Sequence, residues 1–205
     1  MRIRPASDHS LLVSLADQTE VLRLAALLRD LPGVRNIHPA YESILISFDP
    51  LAVDPAGLQR TVGDLAGQAA GIPMPAPRMV EIPVQYGGEH GPDLADVAAL
   101  HHLPPESVVE IHSRAEYFVS FLGFSPGFPY LEGLPPAIAT PRLDTPRKHV
   151  PAGSVAIGGS HAGIYPVASP GGWRIIGRTA LRLFQPEADP PTLLQMADRV
   201  KFVPA

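Results

Sequence analysis

Proline constrains this chain more than any other residue type. Twenty-five of the 205 residues are Pro, about 12% against a usual ~5%. Each removes a backbone donor and clashes with the preceding helical turn, so a bundle of long helices is excluded. The 18 glycines beside them keep the combined share short of the ~25–30% that marks a disordered chain. Hydrophobic residues make up 45%, enough for a core in one large domain or two small ones. There is no cysteine, which removes disulfides and thiolate–metal chemistry. No apolar run approaches the ~18–20 residues that span a bilayer. The first apolar stretch, Leu11–Ala16, is too short for a signal-peptide core. A soluble cytoplasmic protein is expected.

The net charge of −4 gives no electrostatic support to nucleic-acid binding. Its distribution says more. Residues 79–141 carry one base, Arg114, against eight acids, whereas residues 142–182 carry six bases (Arg142, Arg147, Lys148, Arg174, Arg178 and Arg182) against Asp144 alone. Such an excess can focus field onto an anion, a partner, or the acidic segment before it.

Residues 1–78 read as a small α+β unit. Ser10–Leu15 is β-competent, and Val21, Leu24, Ala25 and Leu28 make the apolar stripe of a helix over Thr19–Asp30,. Pro32-Gly33 stops it. The runs Val34–His38 and Ser43–Phe48 follow, separated by a turn near Pro39–Glu42. Asp54-Pro55 opens a second helix. With Met79–Val84 as a closing strand the order is β-α-β-β-α-β, the ferredoxin-like order. The proline-alternating stretch Ile72–Arg78 reads as an extended linker and domain boundary. Beyond it, two short helices (Pro92–Leu100 and Pro105–His112) precede β-rich runs at Tyr117–Phe121, Ser154–Ile157, Ile164–Val167, Trp173–Ile176, Leu181–Phe184 and Arg199–Val203. Short strands with close turn signals indicate an antiparallel barrel or sandwich.

Gly123-Phe124-Ser125-Pro126-Gly127 matches the G-x-S-x-G pattern, but the chemistry fails. A nucleophile elbow takes an oxyanion donor from the residue after the serine and then opens a helix. Pro126 has no N–H, and Phe128–Gly133 reads as loop. Neither Lys148 nor Lys201 sits in a phosphate loop. His101, His102 and His112 lack the carboxylates of a metal site. What remains is a dense set of Gly/Pro loops bearing aromatics and arginines, which hold one shape at low entropic cost and suit a binding surface. The candidates are His112, Tyr117, Phe124, Phe128, Tyr130, Arg142, Arg147, Gly153, Ser154, Tyr165 and Trp173, some of which will instead plug the barrel. No catalytic residue and no metal ligand is assigned.

Long motifs in one order carry a resemblance. They are Ile-Pro-Val-x-Tyr-Gly-Gly (Ile82–Gly88), Gly-Pro-Asp-Leu (Gly91–Leu94), Val-x-Glu-x-His-Ser (Val108–Ser113), Gly-Phe-x-Pro-Gly-Phe-x-Tyr-Leu (Gly123–Leu131), Val-Pro-Ala-Gly-Ser-Val-x-Ile-Gly-Gly (Val150–Gly159) and Pro-Gly-Gly-Trp (Pro170–Trp173). The chain resembles the B-subunit family of bacterial ATP-dependent 5-oxoprolinase, also described as allophanate hydrolase subunit 1 and including KipI-type kinase inhibitors. It departs from the family at Ser7-Asp8, where Gly-Asp is usual, at Arg178, where His is common, and at Met196-Ala197-Asp198, where Pro-Gly-Asp is usual. The resemblance implies a ferredoxin-like domain over 1–78 and a cyclophilin-like, carboxyltransferase-type β-barrel over 79–205. It further implies a C subunit and a lactam-utilisation A subunit as partners, 5-oxoproline as substrate and ATP as cofactor of the complex. The isolated chain is expected to be inactive. A pure interaction protein that inhibits a sensor histidine kinase is the alternative, while a prolyl isomerase has only the barrel in its favour.

Overall fold

Asp17 opens the first helix, α1 (Gln18–Leu28), by accepting the Glu20 N–H at 2.9 Å, one of the donors a helix start leaves unpaired. Asp54 does the same for α2 (Pro55–Ala69), accepting from Ala56 at 3.1 Å and Gly57 at 2.8 Å. Pro55 occupies the first turn, where its missing N–H is no loss. Strands β1 (Arg2–Ser7), β2 (Ser10–Ser14), β3 (Val34–Ala40) and β4 (Ser43–Phe48) form an antiparallel sheet in the order β1-β2-β4-β3. Ile44, Ile46 and Phe48 are buried with Leu11 and Val13, and the helices bury Val21, Leu24, Leu28, Leu58 and Val62. Ala40 pairs with Ser43, so the turn is tighter than the sequence predicts.

The expected closing strand, Met79–Val84, is not in this sheet. The edge beside β2 is taken by Arg2–Ser7, and the order is β-β-α-β-β-α. Five of the six β1 residues are exposed and only Ile3 is half-buried. The strand is held by its main-chain ladder and its two-residue Asp8-His9 turn, which a hydropathy pattern does not register.

The computed structural model describes residues 1–73 and 77–205 and divides into units Met1–Ala76 and Pro77–Ala205. The expectation of an extended linker over Ile72–Arg78 falls in part, at 74–76, outside the described residues. The second unit comprises β5 (Met79–Tyr86), α3 (Leu94–Leu100), α4 (Pro105–Arg114), β6 (Tyr117–Leu122), β7 (Pro129–Glu132), β8 (Arg147–Val150), β9 (Ser154–Gly158), β10 (His161–Ile164), β11 (Ser169–Gly171), β12 (Arg174–Arg178) and β13 (Arg199–Pro204). Seven strands close a barrel, β10-β7-β6-β13-β5-β12-β9, while β8 and β11 form a separate ribbon. All barrel pairs are antiparallel except β13 with β5. Ile82, Val84, Val119, Leu131, Val155, Ile157, Ile164, Ile176, Val200 and Phe202 fill the core.

Three expectations are corrected. Leu181–Phe184 is not a strand; it makes a single bridge from Phe184 to Thr192, and of its four residues only Leu183 is buried. The strand expected at Ile164–Val167 runs over His161–Ile164 and ends before Pro166, which cannot donate to a ladder,. Pro129–Glu132, expected as loop, is β7, because Phe121 and Leu122 pair with Tyr130 and Pro129.

Candidate functional site

Phe128 stands at the centre of an aromatic cluster built by the Gly123–Leu131 turn and the loops around Tyr165 and Trp173. Its ring meets Tyr165 at 5.2 Å, Trp173 at 5.4 Å, Tyr130 at 5.2 Å and Phe124 at 5.4 Å, each edge to face, the arrangement that ring quadrupoles favour. Strands β9 and β10 make room with glycines: a Cβ on Gly163 would lie 2.8 Å from the Phe128 ring and 2.9 Å from that of Trp173. Phe128, Tyr165 and Trp173 are buried, so these three are packing residues at the base of the site. Phe124 is 63% exposed, on a backbone with φ of 67°. Tyr130 is half-buried and stacks on Phe121 at 4.3 Å.

Two guanidinium groups border this cluster. The Arg142 Cζ lies 5.6 Å from the centroid of the Trp173 ring, a cation–π position, and Arg142 is exposed. Arg147 donates from Nη2 to Asp93 Oδ1 at 2.6 Å, and the other Asp93 oxygen accepts the Ile175 N–H at 2.7 Å. Asp93 is 4% exposed and Arg147 is 30% exposed. The Nη1 of Arg147 is buried with no hydrogen-bond partner among the described residues. Burial raises the Tyr165 phenol above its ordinary range, while the main-chain N–H of Trp173 and the charges of Arg142 and Arg147 oppose this. Arg174 lies 3.5 Å from Asp96, so the basic segment partly neutralises the acidic one, whereas Arg142, Arg178 and Arg182 have no ion pair among the described residues.

His112 and Tyr117 lie elsewhere, in the main barrel core. The His112 ring is 4.5 Å from that of Phe202 and 5.2 Å from that of Tyr117. Its Nδ1 and the Tyr86 hydroxyl share a hydrogen bond at 2.8 Å, and the Tyr117 hydroxyl donates to the His112 carbonyl at 3.0 Å. Full burial lowers the imidazole to about 3 from its ordinary 6.5, which keeps it neutral. Sealed in this way, it can neither carry protons to solvent nor touch a ligand. The Ser154 hydroxyl donates to the Pro151 carbonyl at 2.8 Å and is buried. Ser125 lies in a turn closed by the Phe128 N–H donating to its carbonyl at 3.0 Å, and a strand follows, so no nucleophile elbow forms. Gly153 donates its N–H to the Tyr165 carbonyl at 2.7 Å at the edge of the aromatic cluster, and it lies in the wall of a cavity with Arg178 and Thr179. Sequence reasoning misses Asp93 as a site residue, although it stands in the Gly-Pro-Asp-Leu motif; its pairing with a base 54 positions on leaves no local signal.

A closed barrel with an aromatic, arginine-edged site is the scaffold of a binding domain. The chain belongs to the family of the carboxyltransferase domain, subdomains C and D, whose model matches residues 1–194. The chain is similar to the B subunit of 5-oxoprolinase from Escherichia coli O157:H7, 48% identical over 196 residues that cover 94% of this chain and 88% of that protein. It is also similar to the 5-oxoprolinase B subunit of Bacillus subtilis (strain 168), 46% identical over 182 residues, 84% of this chain and 76% of that one. Among solved structures, TTHA0988 matches all of this chain at 36% identity and a TM-score of 0.83, and the match spans 40% of that longer chain.

Proposed function

We propose that this protein is a subunit of a 5-oxoprolinase complex that opens the lactam of 5-oxoproline to L-glutamate with hydrolysis of ATP. The observation that carries this reading is the 40–48% identity, over most of the chain, to proteins named as the B subunit of 5-oxoprolinase. An amide carbonyl is a weak electrophile, and ATP supplies its activation. The residues of this chain bind and orient: Phe124, Tyr130, Arg142 and Arg147 form the face assigned to an anionic substrate or an acidic side chain of a partner subunit, since a guanidinium fork binds carboxylate or phosphate in a geometry lysine does not reproduce. Asp93 positions Arg147. No phosphate loop surrounds Lys148 or Lys201, and among the described residues no cluster of His, Asp or Glu would hold a metal ion. ATP is therefore assigned to the complex, with a C subunit and a lactam-utilisation A subunit as partners. We read the barrel as cyclophilin-like and the first unit as a ferredoxin-like sheet whose edge strand comes from β1. No helix among the described residues is long and apolar enough to cross a membrane, and we place the complex in the cytoplasm.

The test is co-purification of this chain with the two partner subunits, followed by measurement of 5-oxoproline-dependent ATP hydrolysis. Turnover is expected from the complex and none from the isolated chain; turnover by the single chain would overturn the assignment. In the complex, Arg147→Lys is expected to cut activity about ten-fold or more, the loss of one charge-assisted pair. Wild-type activity and assembly in both Arg142→Lys and Arg147→Lys would remove the anion role from this face.

A further inference from the structure

The second unit carries a further concavity of about 660 Å³. Its lining joins Pro83, Gln85 and His90, from β5 and the turn after it, to residues 178–182 and Phe184, and it adjoins the aromatic cluster through Gly153 and Pro166. We infer that this cavity is a binding site for a small organic anion, with Arg178 and Arg182 holding its carboxylate or phosphoryl oxygens.

Three observations support the assignment. The first is charge: two arginines line the cavity and no Asp or Glu does, and with the carboxylate of Ala205 counted against them the lining keeps a net positive charge, which the walls of the concavity focus. The second is availability. Arg178 spends only its Nε, donated to the Ala152 carbonyl at 3.0 Å. That bond fixes the plane of the guanidinium and leaves both terminal nitrogens without a partner among the described residues, as is the whole Arg182 side chain. These two unpaired forks contrast with Arg147 and Arg174, which are held by acids, and with Arg142, which lies over the Trp173 ring. The third is that the wall is built to one shape. Gly153 has φ of 81°, and a Cβ there would overlap the Thr179 carbonyl and lie 3.5 Å from the Arg178 Cγ. The Gly153 and Thr179 main chains are joined by a 2.9 Å hydrogen bond, and the Thr179 hydroxyl accepts the Leu181 N–H at 3.2 Å. The main chain that leads from the end of β12 to Arg182 is thus anchored, and the Arg178 guanidinium is held in one plane before a ligand arrives,. Leu181 and Phe184 add apolar surface to the same lining, which suits an anion with a carbon skeleton over a bare inorganic ion.

The inference is independent of the reaction proposed above. Its test is titration of the full-length chain, ¹⁵N-labelled, with 5-oxoproline, L-glutamate, ATP and inorganic phosphate in separate experiments. At least one of the organic probes is expected to saturate, shifting the amides of Gly153 and of 178–184, and to bind more tightly than inorganic phosphate. The carboxylate and phosphoryl arms distinguish the two sources of oxyanion. Arg178→Ala and Arg182→Ala are each expected to weaken that probe about ten-fold, the loss of one charge-assisted contact. Both side chains are exposed, so unchanged melting temperatures are expected to show that the variants fold. Saturation by none of the probes below about 10 mM, shifts centred on Phe124 and Tyr165 instead, or unweakened binding in the double variant would each overturn the inference.

Discussion

Phe124 and Phe128 are four residues apart and their rings meet edge to face, yet they answer to different demands. Phe128 is 2% exposed and wedged among Tyr165, Trp173 and Tyr130, so Phe128→Ala is expected to cost about 3–5 kcal/mol of unfolding free energy. Phe124→Ala is expected to leave the melting temperature nearly unchanged and to lower activity or assembly of the complex; urea unfolding and co-purification of the two variants separate the roles. His112 makes a prediction about pH. The folded state holds its imidazole neutral down to about 3, whereas the unfolded chain protonates it near 6.5. Between those values the unfolded state binds more protons, so stability falls as pH falls through that window, by about 2 kcal/mol from pH 7.5 to 5 from this residue alone. Unfolding in urea at pH 7.5 and 5 is expected to show that loss in the wild type and a smaller one in His112→Gln; equal losses would refute it. Sequence reasoning singles out both phenylalanines and the histidine, but a ring's exposure depends on partners some forty positions away, and nothing in Gly-Phe-Ser-Pro-Gly-Phe reports them.

At the scale of elements, β9 and β10 are shaped around two rings. Gly158 has ordinary strand dihedrals, so alanine fits its backbone; what does not fit is the methyl group, which would overlap the Trp173 ring. Gly158→Ala is expected to push the chain's single tryptophan outward at about 1–3 kcal/mol, the usual range for overpacking. Its emission maximum would move to longer wavelength, and an unmoved spectrum would show that the ring is seated by other contacts. The elements themselves are legible to different degrees. α1 and α2 follow from apolar spacing and from Asp caps, which are local signals. β7 escapes because Pro129 and Gly133 bracket it as if it were loop, and its pairing with β6 is a tertiary fact. Leu181–Phe184 fails in the opposite direction: Leu181 and Phe184 line a cavity and Leu183 packs into the barrel core, with no strand ladder formed.

For the molecule as a whole, the charge asymmetry read from the sequence proves partly internal. Arg147 and Arg174 turn back onto Asp93 and Asp96, while Arg142, Arg178 and Arg182 have no ion pair among the described residues. Proline content and turn spacing point to a barrel, and the six motifs point to a family; neither could indicate that residue 2 begins an edge strand or that one barrel pair is parallel.

That parallel pair has a consequence for how the protein is made. β13 lies between β5 and β6, with Met79 opposite Arg199, about 120 positions later. A chain emerging from the ribosome therefore exposes two unsatisfied strand edges for as long as residues 199–204 remain in the exit tunnel, and barrel closure must wait until they leave it. Pairings of such long separation form slowly, and open edges invite strand exchange with neighbouring chains. A version stopped at Asp198 is expected to accumulate in the insoluble fraction and, when refolded, to lose amide protection along β5 and β6. Full protection in that truncated chain would mean that the barrel closes without its last strand.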